Sequence, residues 1–124
     1  MIPTKRTALV IDDDPFISEL LRVILEGNEF DVDVASDGIH AVELARPYDV
    51  ILLDLNMPVF DGERLTEYWG LTQPEILKRV IILSGYSRFT GDRRLPETFA
   101  TIGKPFEHRA LIQLVEQCAG QARD

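Results

Sequence analysis

Apolar residues fall along this chain in two alternating kinds of run. "TALVID" (7–12), "YDVILLD" (48–54) and "RVIILS" (79–84) are short and nearly continuous, as strands buried on both faces of a sheet would be. Between them the spacing becomes helical. In "PFISELLRVILEG" (15–27), Ile17, Leu20, Leu21 and Ile24 stand at i, i+3, i+4 and i+7, which is one face of a helix. Asp14 is placed to cap that helix, Pro15 suits its first position and Gly27 its end. Leu111, Leu114, Val115 and Cys118 mark one face of a last helix over 107–119, with the cysteine read as core. "SDGIHAVELA" (36–45) and "DGERLTEYWGL" (61–71) read as two further helices. "DVDVA" (31–35) alternates apolar and charged residues and suits an edge strand, and "TFATI" (98–102) is a short fifth strand.

Strands that alternate with helices make βαβ units with right-handed crossovers, hence a parallel, doubly wound α/β sheet with helices on both faces. The 124 residues suit one domain, 1–124, with a core over about 7–119 and no linker, repeat or low-complexity tract. "GYSRFTGDRRLPE" (85–97) has no clear helical period and contains Pro96, so a fourth helix there is expected to be short or distorted.

Each central apolar run ends in a polar residue. The first ends in Asp12-Asp13, the second in Asp54 and the third in Ser84, while the fifth strand runs into Lys104. Ligands of open parallel sheets bind beyond the carboxyl ends of the strands, so these residues should converge. Two carboxylates about 4 Å apart repel by roughly 4 kcal/mol at an effective dielectric near 20. Three together raise one another's pKa or need a cation, and Mg2+ takes carboxylates together with phosphate and water. On its own "DDD" (12–14) could be a solvated turn that caps a helix; the partners at the other strand ends favour phosphate chemistry with Mg2+.

Composition narrows the classes. Hydrophobic content is 45% and charged content 27%, both ordinary for a globular protein. A single cysteine excludes an internal disulfide framework and fits a reducing compartment. No apolar run reaches the roughly 18–20 residues of a membrane span, and "MIPTKR" lacks a signal-peptide core, so a cytoplasmic location is expected. The formal charge is −8, which argues against a bare nucleic-acid binder. Arg88, Arg93 and Arg94 form a short basic cluster, either a solvated loop or a partner- or phosphate-facing one. His40 and His108 lie in helical stretches away from the strand ends and read as surface. Neither G-x-G-x-x-G nor G-x-x-x-x-G-K occurs, so dinucleotide and nucleoside-triphosphate sites are not indicated.

"LVIDDDP" (9–15), "DVILLDLNMPVFDG" (49–62), "VIILSGY" (80–86) and "KPF" (104–106), in that order, resemble the receiver domain of two-component response regulators. The resemblance covers about residues 7–119 and implies a flavodoxin-like five-stranded sheet of order 2-1-3-4-5. It implies that Asp54 is the nucleophile that takes a phosphoryl group from a phosphohistidine, so that the only catalysis is the protein's own phosphorylation and dephosphorylation. Asp13 and Asp54 would give carboxylates to Mg2+, Asp12 would act through metal-bound water, and Asn56 would add its backbone carbonyl. Lys104 would pair with the phosphoryl oxygens and Ser84 would hydrogen-bond them. Lys104-Pro105 is the peptide such domains tend to hold cis, and Tyr86 would screen the phosphoryl group from water. "MP" and "DG" would turn the chain out of the strand into the third helix.

Two positions depart from the family pattern. Thr101 stands where an aromatic switch residue is usual, and Phe99, two residues away, would share its strand face if the strand is regular. The segment 85–97 is the other departure and would reshape the signalling face. The implied partners are a sensor histidine kinase or a histidine phosphotransfer protein and an unidentified output partner. Direct nucleic-acid or membrane binding is not implied, and a monomer or weak dimer is. No output domain is expected in the chain, so either a stand-alone regulator or a module of a hybrid kinase or larger regulator fits. A pseudo-receiver that no longer takes phosphate is the alternative, with Thr101 as its support. A haloacid-dehalogenase-like phosphatase is more remote: Asp12-Asp13-Asp14 holds its D-x-D, but position 16 is Phe rather than Thr or Val, and it would phosphorylate Asp12 instead of Asp54.

Overall fold

The computed structural model describes residues 5–44, 46–55, 62–84 and 98–122. Asn56, Tyr86, the basic cluster and the expected distorted helix of 85–97 lie outside the described residues. In chain order the elements are β1 (Arg6–Ile11), α1 (Pro15–Glu26), β2 (Phe30–Ala35), α2 (Gly38–Glu43), β3 (Val50–Asp54), α3 (Gly62–Thr72), a 3-10 segment (Pro74–Arg79), β4 (Val80–Ser84), β5 (Ala100–Gly103) and α4 (His108–Ala122). The five strands are all parallel in the order β2-β1-β3-β4-β5, the flavodoxin-like arrangement.

The strands are placed as their patterns require. Every residue of β3 and β4 is buried, which is why their sequences do not alternate, whereas β2 at the sheet edge is partly exposed. On one face Ala8, Val10, Leu52 and Leu83 pack against Leu21 and Leu25 of α1 and Leu111 and Val115 of α4. On the other, Leu9, Ile51, Leu53 and Ile82 pack against Ala41 of α2 and Leu65 and Trp69 of α3. Cys118 is a fully buried member of the α1/α4 layer, as its helical face indicates. Arg6 stacks over the buried Phe30 ring at 4.4 Å and pairs with Glu116, which ties α4 to the start of β1.

Asp14 caps α1, its Oδ1 accepting the N–H of Phe16 at 2.9 Å and of Ile17 at 3.4 Å, with Pro15 in the first turn. At the far end Gly27 is the C-cap, as its position indicated, but without a left-handed backbone. Gly27 keeps a right-handed conformation (φ −66), and the left-handed position falls on Glu29 (φ 69). A side chain there is strained by about 1–2 kcal/mol, of which glycine's extra unfolded-state freedom returns about 0.5–1 kcal/mol. Glu29→Gly is therefore expected to stabilise the fold by about 0.5–1 kcal/mol in urea unfolding; a loss of stability would mean that Glu29's side chain outweighs its backbone.

The 3-10 segment was not signalled by the sequence pattern, because six residues with only Leu77 buried show no period. Phe99 is the other departure. It lies at a bend before β5, and its ring packs with the α1/α4 layer. Thr101 is exposed and pairs in register with Ile82, a residue of the opposite layer. The strand is not regular as far back as Phe99, so the two residues do not share a face.

Candidate functional site

Register alone brings the polar strand ends together. Ile11 pairs with Leu53, so the next residues, Asp12 and Asp54, are neighbours; Ser84 pairs with Gly103, so Lys104 follows beside it. The Lys104 N–H donates to the Ser84 carbonyl at 2.7 Å and the Asp12 N–H to Ala35 at 3.1 Å, which extends the ladder to the site. Asp12, Asp54 and Ser84 are nearly inaccessible at 2%, 4% and 4% exposure. Asp13 faces out.

The three acidic residues of 12–14 have separate tasks. Asp14 caps α1, and its own N–H donates to Asp12 Oδ1 at 2.9 Å. Asp12 Oδ2 is buried and makes no hydrogen bond; Lys104 Nζ stands 3.8 Å away. The same ammonium lies 3.2 Å from Asp54 Oδ1. Burial pushes the Asp12 carboxyl up to about 6, helped by the charges of Asp54 and Asp13 and opposed by the Asp14 N–H and Lys104. Oxygens of Asp12, Asp13 and Asp54 all lie within 4.8 Å of one another. A buried carboxylate oxygen without a donor, beside two more carboxylates, fits a hard divalent cation such as Mg2+.

Lys104-Pro105 is cis, as the resemblance implied. Thr101 is exposed on β5. Neither histidine joins the acidic group: His108 is exposed, and His40 is half-buried with its Nδ1 accepting the Ser36 N–H at 3.3 Å.

Gly62 is a site residue that sequence reasoning did not single out beyond its turn. Its N–H donates to the Leu55 carbonyl at 3.3 Å, which seats the start of α3 on the end of β3. A Cβ there would stand 2.7 Å from Leu55 Cα and 2.8 Å from the Asp54 carbonyl oxygen. The Asp-Gly pair at 61–62 was the available signal, but the pattern does not say what the missing side chain makes room for.

The family model of the response regulator receiver domain matches residues 8–116. The chain belongs to this family. Among curated relatives, the transcriptional regulatory protein BtsR of Salmonella typhi is 30% identical over 109 residues, 83% of this chain and 44% of BtsR. Protein Rrf1 of Nitratidesulfovibrio vulgaris is 33% identical over 113 residues, 88% of this chain and 79% of Rrf1. The receiver thus spans about half the length or less of the first curated relatives it matches, such as 44% of BtsR. Among solved structures, the receiver domain of the Pseudomonas aeruginosa sensor histidine kinase PA1611 superposes with a TM-score of 0.81 at 25% identity, over 93% of this chain and 98% of that one. That structure holds a magnesium ion in its active-site cleft. The Thermotoga maritima response regulator TrrA, solved with Mg2+ and BeF, gives a TM-score of 0.81 at 27% identity, over 91% of this receiver and 98% of TrrA.

Proposed function

We propose that this receiver accepts a phosphoryl group on Asp54 from a phosphohistidine and uses the modified site to change its partner interactions. The observation that carries the proposal is the Lys104 ammonium, 3.2 Å from Asp54 Oδ1, at a strand end that also collects the Asp12 and Asp13 carboxylates. Asp54 presents a carboxylate oxygen to phosphorus; an O–P bond forms as the donor's N–P bond breaks and the imidazole leaves. Lys104 supplies a point charge to the phosphoryl oxygens. Ser84, anchored through its carbonyl to Lys104, offers its hydroxyl to them. Asp12, Asp13 and Asp54 are the described residues that would hold Mg2+, and the resemblance adds Asn56. When bound, Mg2+ offsets the combined negative charge of carboxylates and phosphoryl group.

A sensor histidine kinase or histidine phosphotransfer protein is the proposed donor, in the cytoplasm, to a monomer or weak dimer. The only chemistry catalysed is the receiver's own phosphorylation and dephosphorylation. None of the described helices is long and apolar enough to cross a membrane.

Intact-protein mass after incubation with acetyl phosphate tests the reading. Wild type is expected to gain one phosphoryl group with Mg2+ and none without it, and Asp54→Asn to gain none. A gain that survives in Asp54→Asn would move the modification to another aspartate, Asp12 being the phosphatase-like alternative. No gain from acetyl phosphate or from a phosphohistidine donor would favour the pseudo-receiver, for which the exposed Thr101 at the switch position is the supporting observation.

A further inference from the structure

A cavity of about 440 Å³ opens between α2, α3 and the 3-10 segment, at the end of the sheet remote from Asp54. It lies where β3 and β4 begin: Tyr48 and Arg79, both in its wall, precede those strands, while Asp54 and Ser84 end them. The volume is that of a small-molecule site. Its apolar wall is formed by the partly exposed Val42, Leu44 and Ile76, over the buried Ile51 and Trp69.

Two arginines share this wall, in a chain whose net charge is −8. Arg46 is already compensated: its guanidinium lies 3.4 Å from Asp33 and stacks over the Tyr48 ring at 5.6 Å. Arg79 is half-buried and donates one N–H to the Tyr48 carbonyl at 3.0 Å. Among the described residues no carboxylate comes within ion-pair distance of it, although Glu75 of the same 3-10 segment also lines the cavity. Arginine stays charged when partly desolvated, and its remaining donors suit a carboxylate fork. A half-buried cation without a counter-ion at an apolar cavity is the arrangement that an amphipathic anion satisfies.

We propose that this cavity binds a small amphipathic monocarboxylate, its apolar body against Val42, Leu44 and Ile76 above Trp69 and its carboxylate on Arg79. Trp69 is the chain's only tryptophan, so its emission reports directly on the site. The test titrates the full chain with decanoate below its micelle-forming concentration. A saturable change in Trp69 emission is expected, with binding at least tenfold weaker in Arg79→Gln and partly recovered in Arg79→Lys. Decanol, the same body without the charge, should bind wild type and Arg79→Gln alike. Val42→Phe, at the cavity wall, should block both ligands, and Asp54→Asn should bind decanoate as wild type does, which separates this site from the phosphoacceptor chemistry. The proposal is overturned by the absence of a saturable change in folded wild type, by undiminished decanoate binding in folded Arg79→Gln or Val42→Phe, or by full competition from inorganic phosphate, which has no apolar body.

Discussion

Asp12→Asn is expected to make the metal-free receiver more stable by about 1–3 kcal/mol, because it removes a desolvated negative charge from beside two other carboxylates. Asp12 Oδ2 makes no hydrogen bond, has Lys104 Nζ 3.8 Å away, and shares its site with the Asp54 and Asp13 carboxylates. The amide keeps the shape and removes one of three negative charges. Its Oδ1 can still accept the Asp14 N–H that Asp12 accepts at 2.9 Å. The sign of the pH dependence follows from the same cause. The folded Asp12 carboxyl is raised to about 6, above its unfolded value near 4. The fold therefore favours the protonated form, and the stability this confers is complete below about pH 4 and lost as pH rises through about 6.

Urea unfolding of metal-free wild type at pH 5 and pH 7.5 should show that loss, and Asp12→Asn should not. Mg2+ should reverse the comparison. A cation bound only by the folded state adds about 2.7 kcal/mol at a hundredfold excess over its dissociation constant, and Asp12→Asn should forfeit most of this gain. If Mg2+ stabilised both proteins equally, Asp12 would not face the cation. If the metal-free variant were no more stable than wild type, the buried Asp12 charge would not carry the cost assigned to it.

What the sequence shows and what it hides divide along physical lines. β3 and β4 are legible because burial on both faces leaves no polar residue inside the run. The site is legible for a related reason: parallel strands carry their last residues to one edge, so Asp12, Asp54, Ser84 and Lys104 meet although they are distant in the chain. Where a residue departs from the period of its element, the pattern says nothing. Phe99 stands one residue outside β5, and its ring goes to the layer that strand alternation would not assign it. Glu29 takes the left-handed position, while the conspicuous Gly27 does not. Composition likewise cannot distribute three consecutive aspartates into one buried carboxylate, one exposed carboxylate and one helix cap. That partition is made by the backbone turn at the end of β1. The cavity beside Arg79 is equally invisible in sequence, since its wall draws on β1, α2, α3 and the 3-10 segment.

Gly62 and Gly70 both lie in α3, and alanine is expected to have opposite effects at the two positions. In α3's interior, an added methyl at Gly70 would meet Leu77 Cδ1 at 3.6 Å, an ordinary contact. There the helix propensity of alanine should decide, stabilising the fold by about 0.5–1 kcal/mol. At Gly62 the methyl would approach Leu55 Cα at 2.7 Å and the Asp54 carbonyl oxygen at 2.8 Å. These are backbone atoms of the segment that carries Asp54, the proposed phosphoacceptor, and no rotamer change relieves the overlap. Either α3 lifts from β3 or the end of β3 moves. Overpacking of this kind costs about 1–3 kcal/mol, so the two variants should differ by about 1.5–4 kcal/mol in unfolding free energy. Gly62→Ala should also slow phosphorylation by acetyl phosphate, because a displacement of about 1 Å at a reacting group can cost about a hundredfold in rate. Gly70→Ala should leave that rate unchanged. Equal stability of the two variants would mean that the start of α3 yields to the methyl without strain. A destabilised Gly62→Ala that still phosphorylated at the wild-type rate would show that the helix moves and Asp54 stays, which would confine Gly62 to a role in the fold.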